Sequence, residues 1–257
     1  MVQPKKALGQ HFLRDQRAAE RIASSISVSP TCRKTLEIGP GTGVLTQFLL
    51  QRGDLELFAV EIDRESVVYL HEHYPQLKER LIEADVLKLD PSLYFGEEAF
   101  IVAGNFPYNI SSQILFRVLD WKNQVSEVVG MFQKEVAERV CAGPGSKTYG
   151  ILSVLLKAWF TAEYLFTVEP GAFHPPPKVR SGVIRLRRNE RERLSCDQEL
   201  FVKVVKAGFN QRRKTLRNSL KSAGLLKEAA KESPLLNKRP EQLSVSEFEE
   251  LTALLQR

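Results

Sequence analysis

The segment Asn105-Phe106-Pro107-Tyr108 combines residue types that can hold the amine of a nucleobase. The Asn105 side chain offers an acceptor oxygen, and the carbonyl of Phe106 precedes a proline, which has no N–H and a fixed φ. Tyr108 supplies a flat ring on which a base can stack. A strand-ending turn that contains a proline is the structural alternative, and the rest of the chain has to distinguish the two.

A glycine-rich turn, Gly39 to Gly43, follows a short apolar run and precedes an amphipathic segment. At the carboxyl end of a strand in an open α/β sheet, glycine lets the backbone approach a ligand closely. The third glycine comes one position too early for the dinucleotide fingerprint Gly-x-Gly-x-x-Gly. We expect cofactor contacts from Gly39 and Gly41, and from the acid Glu37 just before the turn.

Two further acids end the next two apolar runs, each followed by an apolar neighbour. Glu61, followed by Ile62, stands where a carboxylate can accept hydrogen bonds from two ribose hydroxyls. Asp85, followed by Val86, can accept a bond from an adenine amine. With the glycine turn and Asn105, four strand ends converge on one crevice. This pattern predicts an adenosine-type cofactor but does not choose between NAD and S-adenosylmethionine.

Short apolar runs alternate with amphipathic ones from Thr35 onwards, which is the order of a doubly wound parallel sheet. After Leu186 arginines crowd a polar segment, and the patterns that follow are helical. We therefore predict an α/β protein, with a Rossmann-like, cofactor-binding catalytic domain at residues 1–188 and a smaller all-helical domain at residues 189–257.

The composition of the 257 residues is that of a globular protein, with 43% hydrophobic residues. Its three cysteines, Cys32, Cys141 and Cys196, are far apart and form no Cys-x-x-Cys pair. Neither a disulfide framework nor a metal site is predicted, and a reducing compartment fits best. Because no apolar run is long enough for a membrane span or a secretory signal, we expect a cytoplasmic protein without a membrane partner.

Positive charge is concentrated in the predicted helical domain. Lysine and arginine total 37 against 31 acidic residues, and no acid occurs between Glu199 and Glu228. Such a one-sided run repels itself unless a polyanion is near. A solvated helical face is the alternative. We predict RNA contacts from Arg212, Arg213 and Lys214, so that the second domain is an RNA-binding one.

Four motifs in this order make nearly the whole chain resemble the ribosomal RNA adenine dimethyltransferase family, and in particular its small-subunit members. The motifs are Lys5 to Leu13, Leu36 to Gly43, Asn105 to Ser112 and Phe173 to Val179. The resemblance implies a methyltransferase sheet that binds S-adenosylmethionine. It also implies the reaction, in which two adjacent adenosines in the 3′-terminal hairpin loop of small-subunit ribosomal RNA each receive two methyl groups on the exocyclic amine. The implied partner is an immature small subunit, in whose late assembly the protein also acts, and we expect a monomer.

The resemblance assigns cofactor contacts to an N-terminal segment with Gln10, His11 and Leu13, which is expected to fold over the cofactor. The family commonly has Asn at the position of His11. Many bacterial members carry Leu at the position of Phe106, and we expect little functional change there because the backbone carbonyl does the work.

On the substrate side, the resemblance implies that Tyr108 stacks on the target base, with Phe173 on the opposite face and Lys178 nearby. The adenine amine is a poor nucleophile, because its lone pair is delocalised into the ring. Asn105 and the Phe106 carbonyl can accept its two N–H bonds and aim the lone pair at the sulfonium methyl group. No strong general base is then required, and the proton can leave through water.

Three other functions remain open from the sequence. A large-subunit adenine methyltransferase of the erythromycin-resistance type shares the logic of the Asn105 motif. A ribosome-assembly checkpoint factor would bind its subunit without methyl transfer. An NAD oxidoreductase would use the same glycine turn, but the sequence lacks a constellation for hydride chemistry.

Overall fold

A computed structural model describes residues 2–256, so the outermost residue of each predicted domain, 1 and 257, lies outside the described range. The strands are β1 (Phe12–Leu13), β2 (Lys34–Ile38), β3 (Glu56–Glu61), β4 (Leu81–Glu83), β5 (Phe100–Asn105), β6 (Val125–Gln133), β7 (Phe160–Val168), β8 (Phe173–His174) and β9 (Ser181–Arg188). The α-helices are α1 (Gln16–Ser24), α2 (Thr46–Gln51), α3 (Arg64–His73), α4 (Ser92–Phe95), α5 (Ser111–Asp120), α6 (Lys134–Cys141), α7 (Ile151–Lys157), α8 (Gln198–Asn210), α9 (Leu216–Ser222) and α10 (Val245–Gln256).

The main sheet has the strand order β4-β3-β2-β5-β6-β9-β7. The first five strands in this order, β4, β3, β2, β5 and β6, run parallel to one another, and β9 pairs with β6 in antiparallel fashion. The predicted Rossmann-like α/β sheet is thereby confirmed. The chain leaves β2 toward β3 and β4 on one side and returns to β5 and β6 on the other. The carboxyl ends of β2 and β5 therefore flank the topological switch point, where ligands bind in such sheets.

The central strands form because their residues are apolar on both faces. Phe100, Ile101, Val102 and Ala103 of β5 are each 0% exposed, as expected for a parallel strand with helices on both sides. Helices α1, α3 and α8 each start at an aspartate whose side chain accepts from a free backbone N–H group. Asp15 caps α1 by accepting a bond from Ala18 N.

One layer of the core lies between the sheet and the first two helices. The buried face of α1 and Leu49 of α2 pack with residues of β3, β5 and β6. The short sheet of β1 and β8 contributes to the same core, with Leu13 paired to Phe173. Neither this two-stranded sheet nor β7 was predicted from the sequence.

The chain divides into two compact units. Unit 1 comprises the residues up to Ala137 together with Ala162–Arg188, and unit 2 comprises Glu138–Thr161 and the residues from Asn189 onwards. The predicted boundary after residue 188 coincides with one of the points at which the chain passes from one unit to the other. The segment 138–161, which the sequence analysis assigned to the first domain, instead groups with unit 2, because its helix α7 packs against α8 and α10.

Unit 2 is helical apart from the first residues of β7. Its last helix, α10, begins with a reciprocal cap. Glu247 N donates to Ser244 Oγ at 3.2 Å, and Ser244 N donates to Glu247 Oε2 at 2.8 Å. No helix among residues 2–256 is long and apolar enough to cross a membrane.

Candidate active site

One crevice of unit 1 collects the four predicted strand ends. Gly39 after β2, Glu61 at the end of β3, Asp85 after β4 and Asn105 at the end of β5 all line it. Residues 8–12 of the N-terminal segment and residues 106–110 after β5 complete the wall. The convergence predicted from sequence spacing is therefore present in the structure.

The glycine turn keeps the backbone close to the crevice. Gly39 and Gly41 have φ of 66° and 57°, which is the left-handed region that favours glycine. A Cβ on Gly41 would lie 2.9 Å from Cε1 of Phe12, well inside normal contact distance. Any side chain here would push the N-terminal segment away from the turn.

Glu61 is held in place by three backbone N–H groups. Its Oε2 accepts from Gly41 N at 3.0 Å, and its Oε1 accepts from Ile62 N and Asp63 N at 2.9 Å each. Burial raises the pKa of Glu61, although these three hydrogen bonds act in the opposite direction. The carboxylate is thus fixed in orientation and retains acceptor capacity on the crevice side.

Asp85 has two tasks. Its Oδ1 accepts from Leu87 N at 2.9 Å and so caps a short 3-10 helix, Val86–Lys88. Asp85 also lines the crevice, where its other carboxylate oxygen can accept a hydrogen bond from a ligand. Ile62, with 51% of its surface exposed, and the buried Val86 add apolar walls on which a purine ring can rest.

Glu37 lies beneath the crevice and is not among its lining residues, which differs from the predicted cofactor contact. The side chain is 1% exposed, and Thr46 Oγ1 donates to its Oε2 at 2.8 Å. Burial raises the pKa of Glu37 to about 8, and the negative charge of Glu61 acts in the same direction. The residue supports the first turn of α2 from inside the protein.

The N-terminal segment is fastened over the crevice through Asp63. Lys5 Nζ lies 2.5 Å from Asp63 Oδ1, and Gln10 Nε2 donates to Asp63 Oδ2 at 3.2 Å. Burial raises the pKa of Asp63, but the bonds from Lys5 and Gln10 more than offset this, and the net pKa is lowered. Asp63 also caps α3 by accepting from Glu65 N, so the N-terminal segment and the helix are held by the same residue.

Two residues predicted to face ligands are in the core instead. Leu13 and Phe173 are each 4% exposed and pair across β1 and β8. Neither residue lines the crevice, which differs from the predicted cofactor contact of Leu13 and the predicted base contact of Phe173. The strand pairing turns the Phe173 ring toward the buried cluster that contains Ile22 and Met131.

The amide of Asn105 has a defined orientation. Its Nδ2 donates to the backbone carbonyl of His11 at 3.0 Å. Because a carbonyl can only accept, the nitrogen must face His11 and Oδ1 must lie on the other side of the amide. Asn105 lines the crevice, so this contact leaves an acceptor oxygen for a ligand N–H.

Phe106 lines the crevice although only 1% of the residue is exposed. The centroid of its ring lies 4.8 Å from that of Phe132, and the ring fills space above two glycines of the sheet. A Cβ on Gly130 would lie 2.1 Å from Cε2 of Phe106, and one on Gly104 would lie 2.8 Å from Cε1. Phe106 N donates to Met131 O at 3.2 Å, which fixes the peptide that leads to Pro107.

Tyr108 forms another wall of the crevice. Its hydroxyl lies 2.5 Å from Ser181 Oγ, and burial raises its pKa. The His11 ring lies 5.3 Å from the Tyr108 ring at an angle of 31°, and its Nδ1 donates to Pro175 O at 2.8 Å. The phenol ring is therefore oriented before any ligand binds.

The predicted RNA contacts lie on the surface to different degrees. Lys178, Arg213 and Lys214 are exposed. Arg212 is half-buried, and its Nη2 donates to Ser146 O at 3.2 Å within unit 2. Part of its hydrogen-bonding capacity is therefore used for the fold of that unit.

Sequence reasoning missed several residues that shape the site. Gly130 and Ser181 lie far along the chain from the residues that they support, and no local pattern marks them. Asp63 follows Glu61 in the sequence, and its position before α3 was a usable signal for a cap. Across the described 2–256 range, no group of three or more His, Cys, Asp or Glu side chains is arranged to hold a metal ion.

A crevice at the topological switch point, a glycine turn and acidic residues at the strand ends are features of Rossmann-like proteins that bind a nucleotide-type cofactor. The sequence profile of the family described as ribosomal RNA adenine dimethylase matches residues 1–254. The chain belongs to this family, and the predicted family membership is confirmed.

Relatives and solved structures agree with that assignment. The chain is 57% identical to ribosomal RNA small subunit methyltransferase A of Parabacteroides distasonis over 100% of this chain and 96% of the relative. It is 55% identical to the protein of the same name from Cytophaga hutchinsonii, over 99% and 98% of the two chains. The structure of 23S rRNA methyltransferase ErmE has a TM-score of 0.68 at 27% identity, over 94% of this chain and 99% of that one. A dimethyladenosine transferase from Plasmodium falciparum shares the fold, with a TM-score of 0.75 at 24% identity over 94% and 96%.

Proposed function

We propose that this chain transfers methyl groups from S-adenosylmethionine to the exocyclic amines of two adjacent adenosines in the 3′-terminal hairpin loop of small-subunit ribosomal RNA. The observation that carries the proposal is the Asn105 amide, whose nitrogen is occupied by the His11 carbonyl and whose oxygen is left for a donor in the crevice. An adenine amine is such a donor. The 54–57% identity to relatives named for the small subunit favours that subunit over the large one.

The residues of the crevice fit the cofactor. The glycine turn allows close backbone approach, Glu61 presents a fixed carboxylate for ribose hydroxyls, and Asp85 keeps an oxygen for the adenine amine. When bound, S-adenosylmethionine supplies an electrophilic methyl group on a positively charged sulfur. Residues 8–12, fastened through Asp63, would restrict water access to this group.

The chain's contribution to the reaction is orientation. Asn105 Oδ1 and the Phe106 carbonyl accept the two N–H bonds of the target amine and direct its lone pair along the line of transfer. Both acceptors are preorganised, the first by His11 and the second by the buried Phe106 ring. As the amine bonds to carbon it becomes acidic, and its proton can pass to water without a strong base.

Tyr108 would hold the extruded base by stacking, a contact worth about 1–3 kcal/mol per base. Its hydroxyl bond to Ser181 and the neighbouring His11 ring restrict its rotation. Exposed cations of unit 2, including Arg213 and Lys214, would add phosphate contacts. We infer a cytoplasmic monomer that acts late in the assembly of the small subunit.

Methylation of isolated immature subunits tests the proposal. We expect mass spectrometry to detect N6,N6-dimethyladenosine in small-subunit RNA after incubation with S-adenosylmethionine. Methyl groups found only in large-subunit RNA would instead support the erythromycin-resistance type of activity. Subunit binding without any methyl transfer would support a checkpoint factor.

Thermal unfolding with ligands separates the cofactor classes. A ligand at about 100 times its Kd stabilises the folded state by about 2.7 kcal/mol. We expect S-adenosylhomocysteine to raise the unfolding temperature and NAD to leave it unchanged. The opposite result would indicate an oxidoreductase.

A further inference from the structure

A short loop of unit 1, residues 175–180, is anchored at both ends to walls of the crevice. At its start, Pro175 O accepts from His11 Nδ1 at 2.8 Å. Immediately after its end, Ser181 Oγ lies 2.5 Å from the Tyr108 hydroxyl. His11 and Tyr108 both line the crevice, so this proline loop runs along the rim beside the proposed base pocket.

The proline loop has a rigid backbone. Pro175, Pro176 and Pro177 fix three successive φ angles, and Pro177 is buried. At the other end, Lys134 N donates to Arg180 O at 2.9 Å. A loop held at its ends and stiffened between them can present a side chain with little loss of conformational entropy on binding.

The side chain presented in this way is apolar and lies between two cations. Val179 is 45% exposed, which is unusual for a large aliphatic side chain in this protein. Lys178 and Arg180 flank it in sequence and are exposed, and Arg180 lies 4.0 Å from the exposed Glu169. An apolar tip with flanking positive charges matches a nucleic acid in which a base step has been opened and phosphates lie on either side.

An enzyme that acts on the amine of a stacked base must extrude that nucleotide, and extrusion leaves a gap in the base stack. Apolar side chains inserted between bases can fill such gaps. We propose that Val179 is a wedge that occupies the space vacated by the target adenosine while Lys178 and Arg180 contact the neighbouring phosphates. This inference rests on the proposed function, and it assigns Val179 a positioning role separate from the amine-binding groups.

A fluorescent base analogue tests the wedge directly. A hairpin RNA with 2-aminopurine at one target position gains fluorescence when that base leaves the stack. We expect Val179→Ser to lower this gain and kcat/KM for methyl transfer to unmodified RNA each by about tenfold, since the gap is no longer filled. Val179→Leu should retain both. S-adenosylhomocysteine affinity should stay within about twofold in either variant, because no cofactor contact changes.

The matched control is Val68→Ser. Val68 is 57% exposed on α3 and is not among the crevice-lining residues, so the same chemical change there should alter neither readout. Wild-type fluorescence gain and activity in Val179→Ser would overturn the wedge while leaving the proposed function intact. Weaker RNA binding with unchanged base extrusion would also overturn it. If the wild-type protein methylates neither subunit, the proposed function itself fails.

Discussion

Substituting Gly130 with alanine should damage the active site although residue 130 does not line the crevice. The added Cβ would lie 2.1 Å from Cε2 of Phe106, whereas unbonded carbon atoms prefer about 3.5–4.0 Å. The ring must therefore move by more than ~1 Å or the sheet must deform. Overpacking of this kind costs about 1–3 kcal/mol of stability.

The substitution should also slow catalysis. Phe106 carries one of the two proposed amine acceptors on its backbone, and a misplacement of about 1 Å in an active site can reduce the rate by about 100-fold. We expect a loss of that order in single-turnover methyl transfer by Gly130→Ala. Phe106→Leu removes the ring atoms that clash, so the double variant Gly130→Ala, Phe106→Leu should recover at least about tenfold of the loss.

The assay is a double-mutant cycle in which rate, thermal unfolding and S-adenosylhomocysteine affinity are measured for each protein. Gly53→Ala serves as the control, since a Cβ on Gly53 meets no atom within 4 Å. If the double variant loses as much transition-state stabilisation as the two single variants together, the ring does not support the Phe106 carbonyl. Wild-type activity of Gly130→Ala would lead to the same conclusion.

Three further outcomes are expected. Replacing Lys5 and Gln10 with methionine removes the bonds to Asp63 that fasten the N-terminal segment, and should lower S-adenosylhomocysteine affinity by about tenfold in calorimetry. Burial raises the pKa of Glu37 to about 8, so the folded state binds one more proton than the unfolded state between about pH 4.5 and pH 8. The free energy of unfolding of the wild type should therefore fall as the pH rises through that window, by up to about 1.4 kcal/mol per pH unit relative to Glu37→Gln. Reversing the exposed charges in Arg213→Glu, Lys214→Glu should flatten the slope of log affinity for RNA against log salt by about one to two.

The first outcome has a control variant within the chain, and each of the other two has a result that would contradict it. Lys34→Met breaks an ion pair with Glu98 away from the crevice and should leave cofactor affinity unchanged. Parallel stability curves for the wild type and the Glu37 variant would show that the carboxyl group is ionised alike in folded and unfolded states. An unchanged salt slope would show that Arg213 and Lys214 do not contact RNA phosphates. Arg212 is left unaltered because its bond to Ser146 contributes to folding.

The sheet-edge part of the site was predictable because it depends on local order. Parallel strands bring their carboxyl ends to one edge, so a residue that ends an apolar run, such as Glu61 or Asp85, has a defined position once the alternation is recognised. Glu37 shows the limit of this rule. It stands inside its strand, and only the packing of Thr46 decides that its carboxylate is buried.

The features that the sequence did not predict depend on contacts between distant segments. Phe173 precedes a proline-rich loop, where an aromatic ring can face either a ligand or the core, and the pairing of β1 with β8 decides the matter. The grouping of residues 138–161 with the helical unit likewise depends on packing of α7 against α8, which leaves no mark in the local pattern. The orientation of the Asn105 amide depends on a carbonyl 94 positions away along the chain.

Single-turnover methyl transfer by Asn105→Ala, measured at saturating S-adenosylmethionine and small-subunit RNA, tests whether the Asn105 amide orients the target amine. If the amide oxygen orients the adenosine amine, the rate should fall by about 100-fold or more, while RNA affinity stays within about threefold of the wild type. Transfer at a rate within about threefold of the wild type would show instead that groups other than Asn105 orient the amine.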